Sequence, residues 1–260
     1  MVLYRLTLNG ETIIIWLVLT NKKEKDMITA KLSFDWTIYK EHLQNSCLFD
    51  RIPEDKYINV LACLQADLHT CHAGASIVNV GDENGRAGVL LEGELEEFIY
   101  DENGNPVVIR TLGSGAVFGA ELVCGNSLAS QFYLDAVCDS KVLLLDFKAL
   151  MSEMTLNCPY RMQVTANLLQ EFADQITFFN TKVRILSQKK LRDKIKVYLQ
   201  TQEISDGGVI HLSCTRNKLA EFLYVDRSAL SRELCRMRDE GVLQFSGSRI
   251  KMLDQAFLVG

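Results

Sequence analysis

Two arginines and two serines lie close together near the carboxyl end of the chain, in the segment RSALSR, as Arg227, Ser228, Ser231 and Arg232. An arginine can bond O6 and N7 of guanine together, and a serine hydroxyl can reach a base or a phosphate in the major groove of DNA. The same four side chains would also suit the solvated surface of an ordinary helix. The elements that hold them therefore decide between the two interpretations.

The residues around this segment predict a helix with one apolar face. Leu230, Leu234 and Met237 follow steps of four and three, so they share a face that must pack inward. The two arginines and the two serines then point outward. We expect this helix to run from Arg227 to about Glu240, with Asp226 as its N-cap.

A second short helix is predicted immediately before the first. Thr215 is a candidate N-cap for RNKLAEFL, and the positive amino end of such a helix is suited to hold a phosphate. The polar residues at that end are Thr215, Arg216, Asn217 and Lys218. The strands VLQF and RIKML, joined by SGS, follow the second helix. Two short helices, a tight turn and a hairpin predict a winged helix-turn-helix.

The charge distribution supports this assignment. The chain has 260 residues and a net charge of −5, yet residues Ser187 to Gly260 contain 13 Lys and Arg against 9 Asp and Glu. The basic excess thus lies with the two helices, in a chain that is acidic elsewhere. With 48% hydrophobic and 23% charged residues, the sequence predicts one large or two modest globular domains and excludes a disordered chain.

The cysteines and the apolar runs predict a reducing, cytoplasmic location without membrane association. The eight cysteines are irregularly spaced and follow no secretory leader, which argues against a disulfide framework and against an iron–sulfur motif. The four histidines lack the spacing of a metal site, and no Walker sequence or nucleophile elbow occurs, so we expect neither a cofactor nor an enzyme. The apolar run TIIIWLVLT is about half the length of a membrane helix.

The amino end is predicted to be an appendage. LYRLTL and TIIIWLVLT flank Asn9-Gly10, a dipeptide that accepts the positive φ angles of a tight turn, so they predict a small β-hairpin. The charged NKKEKD then separates this hairpin from Met27. We expect residues 1–26 to be an extension, with Met27 as the natural start, and activity to survive their deletion.

The middle of the chain predicts an antiparallel roll that follows short helices. Residues 35–66 read as helical segments broken by Pro53. From His72 to Phe147, brief apolar stretches alternate with glycine-containing turns, which is typical of an antiparallel barrel or roll. The acidic segment GELEEF is interpreted as a solvated face of one strand; its carboxylates, with the preceding one, are Glu92, Glu94, Glu96 and Glu97.

A long helix is predicted from Pro159 to about Ser187. One row of residues on it follows alternating steps of four and three: Met162, Ala166, Leu169, Ala173, Ile176, Asn180 and Val183. A second apolar row lies beside it: Leu168, Phe172, Phe179 and Leu186. One row can face the roll and the other a partner helix, which predicts a dimer; a helix buried within a single chain is the alternative.

The sequence from Thr215 to Gly241 resembles the DNA-binding domain of the Crp/Fnr bacterial transcription regulators. The glycine-punctuated roll and the long helix resemble the sensor domain and dimer helix of that family, from about Ser33 onward. The resemblance implies an α+β fold: an N-terminal antiparallel β-roll (a double-stranded β-helix of the cyclic-nucleotide-binding kind), a long dimerisation helix and a C-terminal winged helix-turn-helix. The matching division is an extension at 1–30, the sensor at 31–155, the dimerisation helix at 156–186 and the DNA-binding domain at 187–260.

The resemblance also implies the partners. A homodimer joined through residues 160–186 is expected to bind a near-palindromic operator in double-stranded DNA, with one recognition helix in each half-site, and to contact RNA polymerase. Arg227, Ser228, Ser231 and Arg232 take the positions that meet bases. One departure from the family pattern is Tyr224, in the turn between the helices, where glycine is common. The turn requires a positive φ, which costs a bulky residue about 1 kcal/mol.

The effector is expected to differ from cyclic AMP. Members that bind cyclic nucleotides carry Phe-Gly-Glu and, about ten residues on, an Arg-Ser whose arginine neutralises the cyclic phosphate. Here Ala120 takes the place of the glutamate, and no cation lies between Arg110 and Lys141. An unpaired buried phosphate costs several kcal/mol, so the roll is expected to bind an apolar or neutral effector, or none. The candidate effector residues are Phe118, Gly119, Glu121, Ser130 and Gln131.

One rival function stays open on the sequence. In that rival, the roll binds a ligand and the C-terminal helices mediate protein contacts without binding DNA. Salt-dependent binding to duplex DNA distinguishes the regulator from this rival, because phosphate contacts release counterions.

Overall fold

The computed structural model describes residues 2–8, 11–17, 32–82, 86–125, 129–151, 158–205, 207–212, 214–254 and 256–259. The chain forms two compact units, Met1–Ala30 and Lys31–Gly260. In the first unit, strands β1 (Val2–Leu8) and β2 (Glu11–Leu17) pair in antiparallel fashion from Leu8–Glu11 to Val2–Leu17. This confirms the predicted hairpin; its Asn9-Gly10 turn lies outside the described residues.

The second unit begins with short helical segments, as predicted. Helices α1 (Lys40–Gln44) and α2 (Tyr57–Cys63) alternate with 3-10 turns at Trp36–Tyr39, Cys47–Phe49 and Glu54–Lys56. The first of these turns starts where the Asp35 carboxylate accepts from the Thr37 backbone N–H at 3.1 Å. Leu48, Phe49 and Leu61 are buried in one cluster with Val164 and Leu168 of the long helix. The helical segments therefore form a platform for that helix.

The roll consists of two four-stranded antiparallel sheets, with strand orders β3-β10-β5-β8 and β4-β9-β6-β7. Its strands are β3 (Asp67–Cys71), β4 (Ser76–Val78), β5 (Gly88–Glu92), β6 (Leu95–Tyr100), β7 (Pro106–Leu112), β8 (Val117–Phe118), β9 (Tyr133–Ala136) and β10 (Ser140–Leu144). A short helix α3 (Ala120–Cys124) follows β8. Leu90, Leu95 and Leu134 are fully buried in the core of the roll.

Strand β3 begins before the predicted start of the roll at His72. Its sequence DLHTC has a single large apolar side chain, Leu68, and so lacks the alternation that marks a strand. Pairing with β10, where His69 lies opposite Val142, forms it instead. A strand held by a partner some 70 residues away leaves little local signal.

Glycine is required at the junction of β8 and α3. Gly119 has φ +68°, and a Cβ there would lie 2.0 Å from the backbone oxygen of Arg86. Only glycine fits both the left-handed backbone and this close approach.

The long helix α4 (Arg161–Leu186) spans 26 residues, about 39 Å at 1.5 Å per residue. One face packs on the platform: Val164 and Leu168 are buried, and the Asn167 amide donates to the backbone oxygens of Leu48 and Asp50, both at 2.9 Å. The opposite row is exposed along its whole length, at Met162, Ala166, Leu169, Ala173, Ile176, Asn180 and Val183. The predicted helix and its unburied apolar row are therefore both present.

The C-terminal part is a winged helix-turn-helix. It contains α5 (Leu191–Gln200), β11 (Ile204–Ser205), β12 (Val209–His211), α6 (Arg216–Phe222), α7 (Arg227–Asp239), β13 (Leu243–Ser246), β14 (Arg249–Met252) and α8 (Ala256–Val259). The sheet order is β11-β12-β14-β13, so the hairpin of β13 and β14 forms the wing. Leu219, Leu230 and Met237 are buried in one core with Ile250 of the wing.

The three predicted helix-terminus residues lie at the ends of α6 and α7, as expected. The Thr215 hydroxyl accepts from the Lys218 backbone N–H at 3.3 Å, and Gly241 ends α7 with φ +76°. Asp226 occupies the N-cap position of α7, but its side chain makes no capping hydrogen bond. Tyr224, in the turn between α6 and α7, has φ +52°, as expected for a position where glycine is common.

Across the part of the chain that the structure describes, no helix combines the length and the apolar character needed to cross a membrane.

Candidate DNA-binding interface and sensor site

Helix α7 presents a polar face opposite its buried face. Leu230 and Met237 are fully buried and Leu234 nearly so. Arg227, Ser228, Arg232 are exposed, and Ser231 is half-buried. Ser231 lies closer to the buried face because it follows Leu230 by only one step of 100° around the helix. The arginines therefore dominate the outward surface.

The amino end of α6 is only partly free. Asn217 and Thr215 are exposed, whereas Arg216 is half-buried, with its guanidinium 4.3 Å from the centroid of the Phe245 ring on the wing. The Lys218 ammonium lies 2.8 Å from a carboxylate oxygen of Glu94 on the roll. Arg216 and Lys218 are thus engaged with the wing and the roll, and the Thr215 hydroxyl caps α6.

Phe245 and Arg238 are interface candidates that the sequence did not single out. The Arg238 guanidinium lies 5.7 Å from the centroid of the Phe245 ring, which also contacts the Arg216 guanidinium. A cation–π contact with one ring helps to orient each guanidinium group. The signal available in the sequence was an aromatic residue in a predicted wing strand beside a basic helix.

Arg192 on α5 fixes the position of α7. Its guanidinium bonds Glu233 at 2.6 Å and both carboxylate oxygens of Glu240, at 2.5 and 3.0 Å. These bonds raise the pKa of Arg192 and lower the pKa of the Glu240 carboxyl. A bidentate pair holds orientation as well as distance, so the two carboxylates tie the recognition helix to its support.

Inside the roll, a buried ion pair joins β6 and β7. The Nε of Arg110 donates to Glu97 at 2.7 Å, and the two side chains are only 10% and 4% exposed. Burial raises the pKa of the Glu97 carboxyl, an effect that Arg110 partly opposes. The guanidinium also lies 5.9 Å from the centroid of the Phe179 ring on α4. The charge of Arg110 is thus neutralised by a carboxylate of the roll itself.

The burial of Glu97 corrects the interpretation of GELEEF as a solvated face. Glu92, Glu94 and Glu96 are half-buried, but Glu97 is 3% exposed. The register of β6 against β7 shifts between Glu97 and Phe98. The extra residue of this shift is Ile109 of β7, so the alternation along β6 is intact and Glu97 shares the buried face of Leu95, opposite Arg110.

Two family models match this chain. The model of the Crp-like helix-turn-helix domain matches residues 195–259, and that of the cyclic nucleotide-binding domain matches residues 68–157. The chain belongs to the Crp/Fnr family. It is accordingly a DNA-binding transcription regulator of the Crp/Fnr type with a cyclic-nucleotide-binding type of sensor domain.

Solved structures show the same fold at low identity. The regulator CLP of Xanthomonas campestris is 14% identical, with TM-score 0.57, over 78% of this chain and 100% of CLP. CooA of Carboxydothermus hydrogenoformans is 15% identical, with TM-score 0.58, over 77% and 88%. CprK is 13% identical, with TM-score 0.60, over 86% and 91%. A comparison with curated protein sequences gave no significant match.

Among the described residues of the segment that matches the Crp/Fnr phosphate-binding cassette, the polar side chains do not form a cluster of free donors. Phe118 is buried, and the Ser130 hydroxyl donates to the Phe132 backbone oxygen at 2.8 Å. Gln131 is exposed. Glu121, two residues after Gly119, has one buried carboxylate oxygen without a hydrogen-bond partner among the described residues, and its other oxygen lies 3.9 Å from Arg110. A carboxylate near this segment disfavours a ligand phosphate.

The helix-turn-helix contacts the roll of this Crp/Fnr chain at two polar points. One is the pair of Lys218 with Glu94. At the other, the Tyr224 hydroxyl donates to the Asp101 carboxylate at 3.2 Å. The sequence could not predict either contact, since the partners are 124 and 123 residues apart.

Proposed function

We propose that this chain acts as a homodimer that binds near-palindromic duplex DNA in a sequence-specific manner, under the control of an effector other than cyclic AMP. The observation that carries the proposal is the exposure of Arg227, Ser228 and Arg232 on a helix whose other face is fully packed. Side chains in that position can enter the major groove without unfolding any part of the domain. Ser231 contributes at the edge of this surface.

The division of labour follows the predicted boundaries. We assign residues 31–155 to the sensor, 156–186 to dimerisation and 187–260 to DNA binding, with residues 1–30 as an extension. We also propose that the protein contacts RNA polymerase and is located in the cytoplasm.

The exposed row of α4 supports the homodimer. Met162, Leu169, Ile176 and Val183 are each at least 60% exposed and recur every seven residues. A seven-residue apolar repeat matches a second copy of itself across a two-fold axis. We therefore take the occupant of this row to be α4 of a second protomer, joined through residues 160–186.

The charges of the roll support an effector other than cyclic AMP. Arg110 is paired with Glu97, and Lys141 with Glu92 at 3.0 Å. A cyclic phosphate beside Arg110 or Lys141 would have to displace the carboxylate of that cation to gain a counter-charge. CLP, which shares this fold, is described as responsive to c-di-GMP, so the fold accommodates other effectors.

Selection from a pool of random duplex DNA tests the DNA-binding proposal. The proposal expects enriched sequences with two inverted half-sites, whose affinity falls linearly with the logarithm of salt concentration. Enriched sites without inverted symmetry would contradict it. Absence of duplex affinity at low salt would favour the rival, a ligand-binding or protein-interaction module.

Sedimentation of two matched variants tests the dimer. Leu169→Glu places a charge in the exposed row and is expected to raise the dimer dissociation constant more than 100-fold, because an unpaired charge in an apolar interface costs several kcal/mol. Gln170→Glu adds the same charge one position away and should leave the dimer intact. A dimer equally stable in both variants would place the interface elsewhere.

A further inference from the structure

A cavity of about 570 Å³ lies between β7 of the roll, α4, α5 and α6. Phe178, Tyr198 and Phe222 contribute aromatic walls, and the cations of the lining are Arg110, Lys182 and Lys218. The volume falls in the range of sites for small organic molecules, as does the combination of apolar walls with a few polar groups. None of the effector candidates of the roll lines this cavity.

Lys182 is a buried cation at the wall of this cavity. It is 7% exposed, and its ammonium donates to the backbone oxygens of Val108 and Ile109, at 2.7 and 2.5 Å. The Phe222 centroid lies 4.8 Å from the ammonium. Two of its three N–H donors are therefore used by neutral carbonyls.

The other two cations of the cavity have their own carboxylates. Arg110 pairs with Glu97, and Lys218 with Glu94. For Lys182, the described part of the chain places no carboxylate within salt-bridge distance, and Glu97 acts on it only as a more distant charge. Burial lowers the pKa of Lys182 to about 8. A buried ammonium without an anion is costly, and a bound anion would remove that cost.

We propose that this cavity binds a small organic anion, in which an acidic group bonds Lys182 and an aromatic or apolar body packs against Phe178, Tyr198 and Phe222. The shared chemistry is a carboxylate, sulfonate or phosphate on such a body. Glu94 and Glu221 also line the cavity and repel an anion, so they direct the acidic group to the Lys182 end.

A ligand here contacts the roll and the helix-turn-helix at once. The ion pair of Lys218 with Glu94 lines the same cavity, so occupancy would alter the contact between the two parts. This consequence for DNA binding rests on the proposed function, whereas the binding site itself does not.

Two fluorescent probes of similar shape test the site in the full-length protein without DNA. Anilinonaphthalene sulfonate carries an anionic group on an aromatic body, and N-phenylnaphthylamine lacks the anionic group. Lys182→Met is expected to weaken the sulfonate about tenfold or more, since a charge-assisted bond is lost, and to change the neutral probe less than about twofold. Lys182→Arg should retain the sulfonate, and Lys189→Met, at an exposed lysine, should bind both probes as the unaltered chain does.

A cavity-filling variant provides a second test in case Lys182→Met does not fold. Thr181→Trp leaves Lys182 in place and is expected to weaken both probes together. Equal losses of both probes in Lys182→Met, or unchanged sulfonate affinity in both variants, would overturn the proposal. Lys182-dependent probe binding without duplex binding would uphold this site and refute the proposed function; duplex binding without Lys182-dependent probe binding would do the reverse.

Discussion

On α7, Arg227 and Arg232 point into solvent, whereas in the roll Arg110 is enclosed with a carboxylate of its own chain. Arg227 and Arg232 are exposed, and the structure shows no ion pair for either within the residues it describes. Arg110 is 10% exposed and bonds Glu97 at 2.7 Å. The first arrangement leaves charge free for a partner, and the second uses charge to hold two strands together. In this protein the family's DNA-binding surface is open, while its sensor interior is already balanced.

The largest expected effect comes from breaking the balance inside the roll. Arg110→Met leaves Glu97 buried without a partner and should lower the free energy of unfolding by about 3–5 kcal/mol, while Arg110→Met/Glu97→Leu should recover most of this loss. Chemical denaturation followed by circular dichroism measures both. The loss should shrink as pH falls, because a carboxyl whose folded-state pKa is raised takes up a proton.

Arg249→Met provides the control, because Arg249 is an exposed strand arginine of the wing. It should change stability by less than about 0.5 kcal/mol. A single variant Arg110→Met as stable as this control would show that the pair in the roll is not a structural one.

The second effect concerns Lys182 of α4, which contacts both β7 of the roll and Phe222 of the helix-turn-helix. Its pKa is lowered to about 8, so above that pH the folded chain has lost a proton that the unfolded chain retains up to about 10.5. Stability of the unaltered chain relative to Lys182→Met should therefore rise with pH across this window, by up to about 3 kcal/mol. Denaturation of both proteins at a series of pH values measures the difference; a difference independent of pH would place Lys182 in contact with an anion or with water.

The two regions also differ in what the sequence could predict. The packing of Leu230, Leu234 and Met237 followed from their spacing, because a helix fixes its faces locally. The burial of Glu97 did not, because a carboxylate is kept at a buried strand position only by its pairing with Arg110 on the opposing strand. Lys218 was predicted to hold phosphate, yet its contact with Glu94 depends on how two distant segments pack. Sites on single helices were thus predictable, whereas sites built by pairing across strands or by contacts between regions were not.

The third effect sharpens the assignment of α7 itself. Arg232→Ala should weaken binding to the selected operator by about 1–3 kcal/mol and relax base preference at one position in each half-site. Fluorescence anisotropy with single-base variants of the operator measures both quantities. Arg236→Ala is a suitable control, since Arg236 is exposed one turn further along α7, beside Glu233. Loss of affinity without any change in base preference would make Arg232 a phosphate contact.

The smallest effect tests the ion pair that joins the two regions. The side chains of Lys218 and Glu94 are 38% and 36% exposed, and pairs of this kind contribute at most about 1 kcal/mol. Glu94→Gln should therefore raise duplex affinity no more than about fivefold, alike for all sequences, because the freed ammonium can reach a phosphate. The salt dependence should steepen by about one unit, and Lys218→Ala in the Glu94→Gln background should remove the gain.

Glu92→Gln is the matched control, because Glu92 is the last residue of β5, two positions before Glu94, and pairs with Lys141 instead of Lys218. If it raised duplex affinity as much as Glu94→Gln, the gain would come from lowering negative charge and not from releasing Lys218. A gain in duplex affinity that occurs only in Glu94→Gln and is lost again with Lys218→Ala would have a clear meaning. It would show that the roll pairs a cation of the DNA-binding surface, as it pairs its own Arg110. The roll would then restrain part of that surface through the half-buried carboxylate of Glu94, which an anion bound in the cavity that Glu94 lines is placed to disturb.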